Sequence, residues 1–91
     1  AITEDNKFEK AYVALGNLQA LEDRKEDAIN TYKAVLSINE NNDKANFGLG
    51  KVYYDKKDFK KAVGYLEKAV AANNKYVLAH SVLGLTYKNL K

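Results

Sequence analysis

The stretch FGLGKVYY, from Phe47 to Tyr54, places two glycines inside a segment that otherwise has the pattern of an amphipathic helix. A glycine in a helix interior costs about 0.5–1 kcal/mol relative to alanine. Two such glycines, Gly48 and Gly50, therefore require an explanation from the architecture of the protein.

Gly50 belongs to a set of residues that recurs with a period of 34. Each of three glycines follows a leucine and has an alanine five residues upstream. Two further columns have two members each. In the tyrosine column, Gln19 stands at the place of the first unit. The columns are Leu15, Leu49 and Leu83; Gly16, Gly50 and Gly84; Ala11, Ala45 and Ala79; Ala28 and Ala62; Tyr53 and Tyr87. Fixed columns at one spacing indicate an internal repeat.

Each repeat divides into two helical patterns. In the second unit, apolar residues recur at spacings of three and four over residues 45–53 and again over 59–70, with a polar segment between them. We expect Asp58 to cap the second helix. In segments 39–43 and 73–75, asparagine suits the left-handed conformation that ends a helix, and asparagine or aspartate can cap the start of the next one. The sequence predicts five helices, over residues 9–21, 25–38, 43–55, 59–72 and 77–90, and no strand.

Small residues allow two antiparallel helices to approach closely. We therefore predict that the three repeat glycines face Ala28 and Ala62 of the second helices, so that the flanking leucines and tyrosines become buried. Gly48 lies on a neighbouring stripe of its helix. There the missing side chain either admits the backbone of a ligand or leaves a local gap.

A 34-residue helix-turn-helix unit with these Leu-Gly, Tyr and Ala positions resembles the tetratricopeptide repeat. The family's usual proline is replaced by Glu40 and Asn74, and Asn46 stands where a large residue is common. The resemblance implies an all-α fold of antiparallel helix-turn-helix repeats, stacked as a right-handed superhelix whose concave face is lined by the first helices. Residues 1–8 match the tail of a preceding repeat, 9–42 a first repeat, 43–76 a second and 77–91 the first helix of a third, as in a slice of a longer array.

The resemblance also implies a partner-binding groove, which we place on the stripe beside each Leu-Gly pair. The candidate residues are Val13, Asn17, Phe47, Lys51, Tyr54, Val82 and Leu85. Apolar surface with one amide and one cation favours a mostly apolar peptide, extended or helical. In the alternative interpretation, Val13 and Phe47 only pack on neighbouring units and Lys51 is solvated.

One subtype of the family holds the terminal carboxylate of chaperone tails with five groove residues. The corresponding positions here are Val13, Asn17, Gly48, Leu78 and Val82, and only Asn17 has the required side chain. We therefore do not expect a groove of the carboxylate-clamp type.

The composition argues against several other functions. The 91 residues carry a net charge of +3, contain no cysteine and have no apolar run long enough to span a membrane, so we expect a soluble chain, with the cytoplasm slightly favoured. His80 is the single histidine, and we expect neither a metal nor a cofactor. The acidic residues of segment 22–27 suit a turn and the start of a helix. No catalytic residues are predicted, and the chain is not expected to be an enzyme.

The sequence thus favours a non-catalytic scaffold that binds a partner protein or peptide in a concave groove. The alternative is self-assembly into homo-oligomers, through the groove or through apolar array ends that include Ile2, Val82, Leu83 and Leu85. RNA binding would require a basic concave face, whereas the groove carries only Lys51 and Lys88. The basic segment 55–61 is interpreted as a solvated turn, and nucleic acid is not an expected partner.

Overall fold

The structure, a computed structural model, describes residues 7–90. Five helices follow one another: α1 (Lys7–Leu21), α2 (Lys25–Ile38), α3 (Asp43–Asp55), α4 (Phe59–Ala72) and α5 (Val77–Asn89). This range contains no strand, so the predicted all-α class and the five helices are confirmed. Only the start of α1 and the end of α5 differ from the predicted bounds. Ile2 lies outside the described residues, and the division of the chain into repeats stays a prediction.

The helices pack in two layers. Helices α1 and α2 pack on each other, as do α3 and α4, while α3 also packs on α2 and α5 on α4. We call α1, α3 and α5, which begin the repeats, first-type helices, and α2 and α4 second-type helices. Contacts of α3 with α1 and with α5 place the three first-type helices side by side in one layer. The fully buried residues between the layers include Ala28, Ala45, Leu49, Ala62 and Leu66. The interior is therefore built from the small and apolar columns that define the repeat.

The turn inside each helix pair uses one residue in the left-handed region. Asp23 has φ of 63° and Lys57, 34 positions later, has φ of 65°. The next amide then returns to the preceding helix, since the N–H of Asp58 donates to the carbonyl of Tyr53 at 2.9 Å. This is the Schellman arrangement of a helix end. The Asp58 side chain accepts from the N–H of Lys61 at 3.4 Å, which confirms it as the N-cap of α4.

The asparagines between the units do not adopt the left-handed conformation that we predicted. Asn39 and Asn73 are extended, with φ of −142° and −145°. Their side chains instead bond to an acid in the first turn of a neighbouring helix, Asn39 to Glu9 at 3.1 Å and Asn73 to Asp43 at 3.0 Å. Glu9, which is 4% exposed, also accepts from Asn42 at 2.9 Å. The left-handed prediction was wrong because these asparagines link units rather than reverse the chain. The predicted cap is confirmed at Asn42, whose side chain accepts from the N–H of Ala45 at 2.9 Å at the start of α3.

The residues four positions before the repeat glycines, Asn46 and His80, contact the same joints. Asn46 is fully buried, and its Nδ2 donates to the carbonyl of Glu40 at 3.1 Å. His80 lies 34 positions later, and its Nε2 is 2.9 Å from the carbonyl of Asn74. In both units a side-chain nitrogen therefore contacts the carbonyl at the position where the family usually has proline.

Replacing Lys57 by glycine should stabilise the chain by about 0.5–1 kcal/mol, because a left-handed conformation strains every residue that has a Cβ. The same substitution at Lys60, an exposed residue inside α4, should instead cost about 0.5–1 kcal/mol. Urea unfolding of the two variants measures both effects. Equal destabilisation by both would contradict the left-handed assignment.

Candidate peptide-binding groove

The repeat glycines mark close approaches between helices, but to other residues than we predicted. A Cβ added at Gly16 would lie 2.7 Å from Cε1 of Tyr32, and one at Gly50 would lie 2.5 Å from Cγ of Leu66. The prediction of Ala28 and Ala62 as partners was wrong, because the side chain one helical turn after each alanine fills the space above the glycine.

Gly48 has a definite steric role. A Cβ at this position would lie 2.3 Å from Cζ of Tyr32, and Gly48 itself is buried. Neither predicted alternative, an opening for a ligand backbone or a local gap, is correct. The ring of Tyr32, 2% exposed, passes from α2 between Gly16 of α1 and Gly48 of α3. The two glycines therefore make room for one aromatic ring between neighbouring first-type helices.

A pocket of about 300 Å³ lies between α1 and α3 where this ring ends. Its lining residues are Asn17, Ala20, Leu21, Tyr32, Phe47, Gly48, Lys51, Val52 and Asp55. Three of the predicted groove residues, Asn17, Phe47 and Lys51, thus meet at one site. We call this site the concave pocket.

Polar groups at the concave pocket are held by neighbours. The hydroxyl of Tyr32 donates to Oδ1 of Asn17 at 2.5 Å. Nζ of Lys51 lies 3.4 Å from a carboxylate oxygen of Asp55, and both side chains remain about half exposed, at 53% and 44%. Burial raises the pKa of Tyr32 to about 12, with a smaller contribution from Tyr76. The hydroxyl is therefore protonated, and able to donate, at any ordinary pH.

The other predicted groove residues lie outside the concave pocket. Val13 is 6% exposed and borders a neighbouring depression that also includes Asn17. Tyr54 is half-buried, with its ring edge-on to Phe59 at 5.5 Å. On α5, Val82 is half-buried, while Leu85 is 48% exposed. A role for these four residues in partner binding stays a prediction.

Phe47 was interpreted either as a groove residue or as a residue that only packs on the neighbouring unit, and its position has features of both. Its ring is half-buried and lies 5.0 Å from that of Tyr76, the residue that precedes α5. It therefore packs on the next unit and lines the concave pocket at once. Burial raises the pKa of Tyr76, and the Asp43 carboxylate adds to this effect.

The repeat signature is buried in the middle of the chain and exposed towards its ends. Leu49 and Tyr53 belong to the core, whereas Leu15 is 42% and Tyr87 47% exposed. A Cβ at Gly84 would meet no atom within 4 Å. The expectation that Leu15, Gly84 and Tyr87 face inward was wrong within residues 7–90, because no described helix covers those faces.

The remaining charged segments form surface ion pairs. Arg24 lies 2.9 Å from Asp27 and 3.3 Å from Glu22, and all three side chains are about half exposed. Lys56 pairs with Glu26 across two units. Among the described residues no group of acidic, histidine or cysteine side chains could hold a metal ion. These charges contribute little to stability.

Residues 22–85 match the family model described as tetratricopeptide repeat. The chain belongs to the tetratricopeptide repeat family. A solved structure, titled as the first TPR of Spaghetti (RPAP3) bound to HSP90 peptide SRMEEVD, matches with a TM-score of 0.90 and 23% identity, covering 96% of this chain and 69% of that chain. At this identity the match shows the fold alone. No curated protein matches the sequence.

The tetratricopeptide fold explains which candidate residues sequence reasoning missed. Tyr32 lies on a second-type helix, and its position gave no sign that its hydroxyl reaches the concave side. The sequence did contain a hint of this contact. The first unit has a tyrosine at position 32 and the next has a glycine at position 48, whereas the equivalent positions 34 residues later hold Leu66 and Val82.

Among residues 7–90, no helix has the length and apolarity needed to cross a membrane.

Alkaline pH should destabilise the chain through Tyr32. Its pKa rises from 10.0 to about 12 on folding, so the contribution is complete below the unfolded value and is lost as the pH rises through the folded one. Between about pH 9 and pH 12, the free energy of unfolding should fall by about 1–3 kcal/mol more for the wild type than for Tyr32→Phe. Parallel pH profiles in urea unfolding would contradict this assignment.

Proposed function

We propose that the chain is a non-catalytic protein–protein interaction scaffold, and that the concave pocket receives an apolar side chain of a partner peptide or helix. The observation that carries the proposal is the composition of the pocket wall. Ala20, Leu21 and Phe47 supply apolar surface around the Asn17 amide and the Lys51 ammonium group. A largely apolar concavity with a few convergent polar groups is typical of ligand sites.

The family and its structural neighbour support this proposal. Repeat arrays present extended concave surfaces that they use for binding. The RPAP3 domain is bound to an HSP90 peptide in its solved structure. The fold offers this chain a comparable face, while its side chains differ from the clamp pattern at four of five positions.

We further propose that the groove is not a carboxylate clamp. Val13 and Gly48 occupy positions where the clamp requires lysine and asparagine. The ammonium group of Lys51 is already close to the Asp55 carboxylate, so the pocket has little net charge to attract a terminal carboxylate. The peptide SRMEEVD should therefore bind at least about tenfold more weakly than an apolar peptide selected on this chain.

The test is a peptide-library selection on the immobilised chain, followed by titration calorimetry of the best peptide. Ala20→Trp fills the concave pocket, and Ala71→Trp makes the same change at an exposed position of α4. We expect Ala20→Trp to raise Kd by about tenfold or more and Ala71→Trp to leave it within about twofold. The reverse order, or equal affinities, would show that the partner binds elsewhere.

Self-assembly remains a second candidate because α5 exposes apolar side chains beside the open Gly84. Leu78 is 62% and Leu85 48% exposed. Sedimentation velocity over about a hundredfold concentration range would reveal a homo-oligomer. Phe47→Asp should dissociate an oligomer formed through the groove, and Leu85→Asp one formed through α5. A monomer at every concentration would eliminate this candidate.

A further inference from the structure

We infer that the Tyr32 hydroxyl orients the Asn17 amide so that the concave pocket presents a hydrogen-bond donor, and that the site recognises a peptide carbonyl beside an apolar side chain. The inference rests on the proposed function and assigns Tyr32 as a positioning residue. The expected occupant is an extended peptide segment, whose main chain offers such carbonyls.

The ring of Tyr32 is confined between α1 and α3 where it extends towards the concave pocket. It is 2% exposed, and a Cβ on either Gly16 or Gly48 would lie within 3 Å of it. Because both flanking backbones are this close, the ring cannot retract or rotate far. The position of the hydroxyl at the floor of the pocket is therefore fixed by the packing of three helices.

The fixed hydroxyl selects one orientation of the Asn17 amide. A neutral tyrosine hydroxyl can donate one hydrogen bond, and an asparagine offers one acceptor oxygen and one donor nitrogen. The Tyr32 hydroxyl donates to Oδ1 of Asn17 at 2.5 Å. The Nδ2 group of Asn17 makes no hydrogen bond to any residue within 7–90. The donor end of the amide is thus left for a ligand.

The corresponding position of the next repeat also carries only donors. Lys51 lies 34 residues after Asn17, and an ammonium group cannot accept a hydrogen bond. Both groups line the same pocket, with Phe47 and Ala20 beside them. Asp55 also lines the pocket but already lies close to Lys51, so among the described residues the unpaired polar group of the pocket is the Asn17 donor. A partner group with an acceptor next to apolar surface suits this site, as a leucine-like residue with its own carbonyl does.

Two small probes that share an isobutyl group test whether the pocket prefers a hydrogen-bond acceptor to a donor. The ketone 4-methyl-2-pentanone offers only an acceptor, and isopentylamine offers an ammonium donor. Affinities are measured by NMR from amide shifts at Ala20, Phe47 and Gly48, for the wild type and for Tyr32→Phe. The matched control is Tyr65→Phe, which removes the same oxygen from a half-buried tyrosine of α4 outside the pocket.

We expect the ketone-to-amine affinity ratio to fall by about three- to tenfold in Tyr32→Phe, because Asn17 becomes free to turn its oxygen outward. The control should leave the ratio unchanged. Asp55 borders the pocket in every variant, so its attraction for the amine cancels when ratios are compared. The phenylalanine ring still fills the space between the glycines, and thermal unfolding verifies that the variant is folded.

An unchanged or increased ratio in Tyr32→Phe, with both probes still shifting the pocket amides, would overturn the inference and leave the proposed function standing. An equal fall in Tyr65→Phe would likewise overturn it, since the effect would not be specific to Tyr32. If neither probe shifts the pocket amides of the wild type, the pocket is not a site for apolar side chains. The proposed function then fails together with the inference.

Discussion

Replacing Gly48 by alanine is expected to destabilise the chain by about 1–3 kcal/mol, although alanine is the better helix former. The new Cβ would lie 2.3 Å from Cζ of Tyr32, which is buried and has Gly16 on its other side. Either α3 moves away from α1 or the ring leaves its place, and both lose buried contacts. Urea unfolding at constant m-value measures the change.

Two further variants separate sterics from helix propensity. Gly64 lies inside α4 with no atom within 4 Å of an added Cβ, so Gly64→Ala should stabilise by about 0.5–1 kcal/mol. Adding Tyr32→Leu to Gly48→Ala should cost less than the sum of the single changes, because the smaller side chain leaves room for the Cβ. Stabilisation by Gly48→Ala would contradict the packing described around Tyr32.

Leu66→Ala should cost about 2–5 kcal/mol, the range for a leucine removed from a tightly packed core. Leu66 is 0% exposed, and its Cγ would lie 2.5 Å from a Cβ at Gly50. Because a domain of this size has about 5–14 kcal/mol of stability, the loss should be a large share of the total and should move the urea midpoint well below that of the wild type. Circular dichroism during urea unfolding measures the loss.

The control for this core variant is Leu21→Ala, which makes the same chemical change at a leucine that is 84% exposed. It should alter the free energy of unfolding by less than about 0.5 kcal/mol. Leu21 lines the concave pocket, so the same variant should weaken peptide binding. Equal destabilisation by the two leucine variants would contradict the assigned core.

The period of 34 residues was sufficient to predict the fold, because small and apolar residues recur at equivalent positions of successive units. Asp58 could be recognised as an N-cap from local chemistry alone. The left-handed residues could not, since asparagine suits both a left-handed helix end and a side-chain link, and only the contact between Asn39 and Glu9 decides between them. Leu15 was misplaced because none of the five described helices covers its face, and it is 42% exposed.

The candidate site could be predicted only in part. Stripe geometry on α1 and α3 places Asn17, Phe47 and Lys51 on one face, since their positions follow from the helical period and the repeat. The role of Gly48 depends on a ring from another helix, and its length and direction depend on how α2 crosses α1 and α3. Tyr32 was missed for the same reason. Pattern analysis describes faces of helices, whereas this contact passes between two of them.

We propose that a partner binds on the face formed by α1 and α3. The most direct test is an NMR titration of the labelled chain with the peptide selected from the library. We predict that amide shifts concentrate at the concave pocket, at Asn17, Ala20, Phe47, Gly48 and Lys51, and stay small on the exposed faces of α2 and α4. Shifts that concentrate on α2 and α4 instead would contradict the account.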